Sequence, residues 1–554
     1  MALRDITPQE CLLCSVNLIK QEVAEHPENL LDYIQDYRST KIPEGDIITQ
    51  KLTPAFKLET HTCETATANR EFLAVSFGLQ GEYANYSGSV QATASQESYQ
   101  ATTTFHFGCT CSIDIGSTYF SKIDDLNSIR SFLKPELLHS LNAIKDLASA
   151  RDFVNQYGTH LIMGLHLGGR IYIHITADTE TLDEKSKVEV SATAAYKGAA
   201  SVRATASVTT NLEWQNSSSN YRAKISAMGG TVGTLNPHKP DTFDDWAKSC
   251  SEKTSSGIYN FKPFHGLAED HQAKSTLRLY LDLKVLEQSL RHPTYFSVCQ
   301  PLKPYTTNVV SVTAPTGYRF IAGGATVTRD STSFLTACYP DDTSLVRWFA
   351  ETHDVIAAAK LTEFVTVYGI AVYDPNKHLD IKVEKESGTN TRGGVDQASA
   401  EVPEGYVLTG GGVFADCHDG TVPKFIYASM PADTSSTNRK WSGVVQDYKD
   451  GANDVDLTVY AIGVKQEHLN ITPEWFRTRQ GRVNHGAIAV TTQGPVVSGG
   501  VQVVLIDKGM GNLLQECYPS SVNSWQEYNK DTAGYYTYVN VTGFAMQLNA
   551  TIKY

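Results

Sequence analysis

Glycine pairs recur as Gly323 and Gly324, Gly411 and Gly412, and Gly499 and Gly500, an 88-residue step both times. They sit in "TGYRFIAGGATV", "EGYVLTGGGVFA" and "QGPVVSGGVQVV", and each is followed by a tryptophan: Trp348 in "RWFAETHD", Trp441 in "KWSGVVQD" and Trp525 in "SWQEYNKD". Each unit then closes on a β-rich run, "VYGIAV", "VYAIGV" or "VTGFAM". A β unit of this size cannot bury its apolar face alone, so three copies must pack about a shared pseudo-threefold axis. The expected architecture for residues 305–554 is an all-β threefold β-prism, with repeats at about 308–375, 393–467 and 485–548. In it the glycines serve bends and the tryptophans packing.

The region upstream obeys a different rule. Pro135 is the only proline between Pro54 and Pro237, so this stretch avoids the residue barred from helix interiors and central strands. Within it, "YSGSVQATASQESYQATTTFHF" puts Tyr86, Gly88, Val90, Ala92 and Ala94 on even positions and Tyr99, Ala101, Phe105 and Phe107 on odd ones. A hairpin with a four-residue tip around Gln96 and Glu97 reconciles the two parities on one apolar face. Its opposite face is Ser, Gln, Thr and His.

A second stretch, "VEVSATAAYKGAASVRATASVTTNLEW", alternates for 27 residues, far beyond an ordinary strand of about 5 to 6. Its apolar positions are Val188, Val190, Ala192, Ala194, Ala200, Val202, Ala204, Ala206 and Val208, and Lys197 with Gly198 fits the tip of a three-residue turn. Arms of about nine residues match a tilted bilayer-crossing strand. The alanine content suits a helix equally well, so one segment carries two signals.

Composition narrows the function. A formal charge of −13, from 47 Lys and Arg against 60 Asp and Glu, argues against nucleic acid and against charge-driven binding to anionic lipid. No run approaches the roughly 18 to 20 apolar residues of a transmembrane helix, so any bilayer crossing must use strands. The N-terminus shows no conventional signal peptide, and release from the producing cell is expected by another route. Cys11 and Cys14 have no second ligand pair at metal spacing and are read as structural thiols. His160 and His166 lack a third ligand nearby in sequence. No metal, cofactor or catalytic constellation is expected, and no enzyme activity.

Between the two hairpins lies "YGTHLIMGLHLGG", where Tyr157, Gly158, Thr159, His160, Gly168 and Gly169 fall at the spacing of a known signature. Here the chain resembles the membrane-attack-complex/perforin (MACPF) family, most closely its bacterial, insecticidal-type members with a C-terminal β-prism. Leu161 departs from the aromatic the family prefers. The resemblance implies a second glycine pair where the central sheet bends, and "SAMGGTVG" supplies Gly229 and Gly230. The cysteine-rich module of vertebrate members is absent.

The implied fold class is α+β, a bent antiparallel sheet like that of MACPF proteins and cholesterol-dependent cytolysins, flanked by helix clusters and followed by the prism. Residues 1–304 would form the pore domain, with an N-terminal helical segment, hairpin regions at about 70–122 and 175–225, and a linker at about 290–304. The implied activity is that of a secreted toxin. A soluble monomer binds a target-cell membrane, assembles with copies of itself into a ring and inserts two hairpins per subunit. The hairpins are stored as helices beforehand, which resolves the two signals of residues 188–214. The alternative is a non-lytic relative acting in adhesion or recognition. The receptor class stays open between lipid, glycan and protein.

Overall fold

The computed structural model describes residues 7–20, 27–63, 104–178, 187, 190, 222–231, 233, 235–236, 239, 242–303, 306–329, 331–354, 363–388, 395–417, 424–446, 455–506, 512–531 and 538–554. Most are in β-strands. The chain divides into two compact units between Val285 and Leu286, inside the helix His271–Arg291.

The first unit is built on one antiparallel sheet. Its strands are β1 (Ser15–Val16), β2 (Ile47–Cys63), β3 (Thr104–Phe120), β4 (His160–Asp178), β5 (Arg222–Met228) and β6 (Ser255–Pro263), in the order β1-β4-β3-β2, with β5 and β6 both paired to β4. The core of the β5 half is written in the period of two. Phe107, Cys109 and Cys111 on β3 face Ile175, Ile173 and Ile171 on β4, directly across the ladder and fully buried. The helix Phe243–Ser249 covers them with Phe243 and Trp246.

Three expectations change. The helical turns in residues 7–20 and 27–50 are short 3-10 ones, Pro8–Cys11, Pro27–Tyr33 and Glu44–Asp46, in place of an N-terminal helical segment. Prolines 8, 27 and 43 interrupt it, and the chain spends its hydrogen bonds on β4 and the loops beside it. Phe107, expected on a lipid face, is core here, because β3 runs through it in unbroken register and its apolar parity is the one Trp246 covers. Residues 294–301, read as linker, form a strand paired along its length with Phe364–Tyr373.

The second unit has three six-stranded antiparallel sheets, and each is shared by two repeats. Strands Tyr318–Val327, Phe364–Tyr373 and Thr294–Pro301 of the first repeat join Leu513–Ser521, Ser524–Lys530 and Gly486–Thr491 of the third. Strands Val407–Cys417, Val455–Lys465 and Asp380–Ser387 of the second join Ser333–Pro340, Arg347–Asp354 and Asn308–Thr313 of the first. Strands Ser498–Leu505, Val539–Ile552 and Leu469–Val483 of the third join Phe425–Pro431, Lys440–Gln446 and Val395–Glu401 of the second. The exchange is cyclic, so no repeat completes a sheet without a neighbour. Phe334, Phe425 and Leu513, equivalent in the three repeats, meet in one buried cluster.

Candidate functional site

In the second unit the repeated residues pack together. A Cβ on Gly323, Gly411 or Gly499 would lie 2.4, 2.2 or 2.2 Å from the ring of Trp348, Trp441 or Trp525 of the same repeat. The three indoles are fully buried, and their Nε1 atoms donate to Cys338 Sγ (3.3 Å), Ser429 Oγ (3.0 Å) and Cys517 Sγ (3.4 Å). Gly324, Gly412 and Gly500 face outward against the carbonyls of Cys517, Cys338 and Ser429, where sheets are joined across repeats. The acceptors belong to "CYP", "SMP" and "CYP" triplets, a repeat signal the sequence reading missed.

In the first unit the signature begins at the end of the helix Leu147–Tyr157, which starts from an Asp146 and Ser149 capping box. Gly158 stops it at φ +83, with room for no side chain, because a Cβ would fall 2.8 Å from Val16 O. Thr159 Oγ1 then donates to Val16 O (3.1 Å), accepts from Leu18 N (3.0 Å) and lies 2.8 Å from His160 Nδ1. Tyr157 packs edge-on to Tyr37, ring centroids 5.0 Å apart. Burial drives the His160 imidazole down to about 3, with His265 adding to the effect, so it is neutral. These four residues tie the N-terminal segment to β4. Cys11 and Cys14 lie beside that tie, their thiols pushed up to about 12 by burial and donating to Thr7 O and Glu10 O.

The two glycine pairs converge although 60 residues separate Gly169 from Gly229. β4 pairs with β6 from His160 to Leu167 and with β5 from Arg170 to Thr176, so it changes partner at Gly168 and Gly169. Gly168, at φ +119, lies so close to β3 that a Cβ would sit 1.9 Å from Ile113 O. Gly229, at φ +74, lies against Gly168, where a Cβ would stand 2.3 Å from its carbonyl oxygen. Trp246 closes the site. Its Nε1 donates to Gly229 O (2.8 Å), and its ring covers Gly169 and Gly230.

The bend crosses the whole sheet. At the same level the β3–β4 register shifts between Asp114 and Gly116, and the β2–β3 register shifts between Lys51 and Ala55, around Pro54. Arg170 follows the bend, its guanidinium lowered by burial and held up chiefly by Glu59 and then Asp114. Trp246 and Pro54 were not singled out from sequence. Pro54 carried a signal, since a proline inside a strand marks a bulge or an edge.

Of the hairpin positions, 86–101, Val188 and 192–208 lie outside the described residues, and so do both tips. Phe105 lies in β3 opposite Ala177. Lys187 and Val190 are helical, and Val190 is 67% exposed. Among the described residues no helix is long and apolar enough to cross a membrane, and no three His, Cys, Asp or Glu side chains converge as a metal site would need.

Residues 59–290 match the MAC/Perforin domain family, a span that contains the signature, both glycine pairs and both hairpin segments. The chain carries a MAC/Perforin domain. Solved structures similar to this chain include GNIP1Aa from Chromobacterium piscinae, 14% identical with a TM-score of 0.38, over 94% of this chain and 91% of that one. A putative cell invasion protein with a MAC/Perforin domain from Bacteroides thetaiotaomicron is 13% identical with a TM-score of 0.35, over 51% of this chain and 61% of that one. Suilysin, a cytotoxin from Streptococcus suis, is 9% identical with a TM-score of 0.21, over 58% and 59%. No curated protein matches the chain.

Proposed function

We propose that this MAC/Perforin protein is a secreted pore former. It binds a target-cell membrane through residues 305–554, a β-prism, assembles side by side through residues 50–290, and inserts residues 86–106 and 187–208 as two β-hairpins. One observation carries the reading. The segment 64–103 joins β2 to β3 and the segment 179–221 joins β4 to β5, and the four strands already stand in register where those segments leave: Cys63 opposite His106, Thr104 opposite Asp178, Thr176 opposite Arg222. Each segment can therefore lengthen an existing ladder without changing its neighbours. A barrel made this way has no open edge.

The bend supports the same reading. A sheet held by glycines at positive φ, capped by one indole and one small helix, can change curvature without breaking its long ladders. β2 lies at one end of the sheet, mostly exposed, and offers 17 residues of backbone to a neighbouring subunit.

Dye-loaded vesicles of target-cell lipid test this. Release is expected, with rings visible by electron microscopy, and a polarity-sensitive dye on Gly88→Cys or Ala200→Cys should report an apolar environment once rings form. Membrane binding with neither release nor rings would refute the pore.

A further inference from the structure

The outer face of one sheet in the second unit carries a row of four aromatic rings, two of them at positions where the other two sheets have none. On the sheet shared by the first and second repeats, Tyr339 lies 5.2 Å from Phe349, 4.8 Å from Phe414 and 5.6 Å from Tyr460 between ring centroids. The four rings come from adjacent strands, Arg347–Asp354, Ser333–Pro340, Val407–Cys417 and Val455–Lys465. At about 4.8 Å per strand they form a row of roughly 15 Å.

Two of the four belong to the fold. Tyr339 and Tyr460 meet over Gly412, as Tyr518 and Tyr368 meet over Gly324, with centroids 5.2 Å apart, on the sheet of the first and third repeats. Phe349 and Phe414 are different. Strand register puts Gln526 and Thr326 in their places on one sister sheet and Ser442 and Gln502 on the other. The sister sheets form without aromatics there, so packing does not require them. Both phenylalanines remain partly exposed.

The polar groups around the row define what fits it. Glu351 accepts from Tyr339 Oη at 3.5 Å, and Lys385, directly across the ladder from Tyr460, pairs with Asp342 at the rim. We propose that this face binds a short neutral oligosaccharide. Apolar C–H faces of the sugar rings pack on Phe349 and Phe414, and Glu351, Asp342 and Lys385 exchange hydrogen bonds with the hydroxyls. Carboxylates among the rings, Glu351 and Asp342, oppose an anionic lipid surface. This names the target class for the recognition role of residues 305–554 and rests on that role. The test reads binding directly, so it fails separately from pore formation.

Calorimetric titration of the full chain with laminaritriose, maltotriose and triacetylchitotriose is the experiment. At least one should bind saturably. The double variant Phe349→Ser with Phe414→Gln, which installs the residues of a sister sheet, should bind that sugar roughly tenfold more weakly or worse. Its melting temperature should stay within a few degrees of the parent. Three results would overturn the proposal: no saturable binding to any of the three sugars at millimolar concentration, binding that the double variant leaves unchanged, or a double variant whose only loss is in self-association or in binding to phosphatidylcholine vesicles.

Discussion

Both units set a glycine beneath a tryptophan, and they use the arrangement to opposite ends. In the bent sheet Gly169 and Gly230 lie under Trp246, while Gly168, Gly229 and Gly230 hold positive φ and β4 exchanges β6 for β5. In the three-sheet unit Gly323, Gly411 and Gly499 lie under their tryptophans, none of the six repeat glycines has positive φ, and each ladder continues through the pair. The contact between indole and glycine sets how closely two layers approach. Backbone φ decides whether the strand turns or runs on. A glycine pair therefore marks a close approach in either unit, and it marks a hinge only where the backbone has left the extended region.

That contrast breaks most sharply at Gly168. Gly168→Ala meets a backbone oxygen and a φ of +119, so a loss of about 5 kcal/mol is expected in urea unfolding. Gly323→Ala keeps an extended backbone and meets mainly the Trp348 ring, so it should cost less. Equal costs would remove the distinction. Trp441→Ala, which empties a fully buried site, should cost about 4 kcal/mol and lower the melting temperature of the second unit without shifting that of the first.

Two buried groups, one in each unit, should respond to pH in opposite senses. His160 is held neutral, down to about 3, so the unfolded chain binds the extra proton first as pH falls below 6.5. Its share of stability is complete above that point and is lost progressively toward pH 3, roughly 2 kcal/mol by pH 5. His265, lowered to about 4 by burial, adds in the same direction.

Glu527 behaves in reverse. It is fully buried, Oε1 accepting from Phe544 N (3.2 Å) and Oε2 set against Gly543, where the second repeat pairs Gly443 with Val459. Burial raises its carboxyl well above the ordinary range, so the folded unit keeps a proton that the unfolded chain releases near 4.5, and stability falls as pH rises from there. Cys517 stands across the ladder from it, and Ile488 on the other side. Glu527→Gln should stabilise the second unit at pH 8 and leave it unchanged at pH 4, read by calorimetry. A Glu527→Gln unit that melts no higher than the parent at pH 8 would contradict this.

The smallest effect is expected at the indole acceptors. Cys338→Ser copies Ser429, which already accepts from Trp441, so the melting point should move by an amount equivalent to less than about 1 kcal/mol.

Much of this was legible in the chain. The 88-residue step, the three tryptophans, the signature and the parity of β3 were all present in local spacing, because period two and turn chemistry are local properties. Trp246 was not legible as part of the bend. Its partners Gly169 and Gly229 are distant in sequence, and nothing in "DTFDDWAKS" points to either. Phe107 misled for a related reason. A strand's parity says which residues share a face, and the same face can meet a core or a membrane.

By itself the sequence determined the repeat count, the signature, the positions that accept no Cβ and the two amphipathic segments, since each follows from residue type at short range. Only the tertiary structure decided which repeat supplies each half-sheet, where β4 changes partner, and which glycines turn the chain. Those outcomes depend on what lies across a ladder or beneath an indole, and a neighbour brought from 60 or more residues away leaves no periodic trace in the chain.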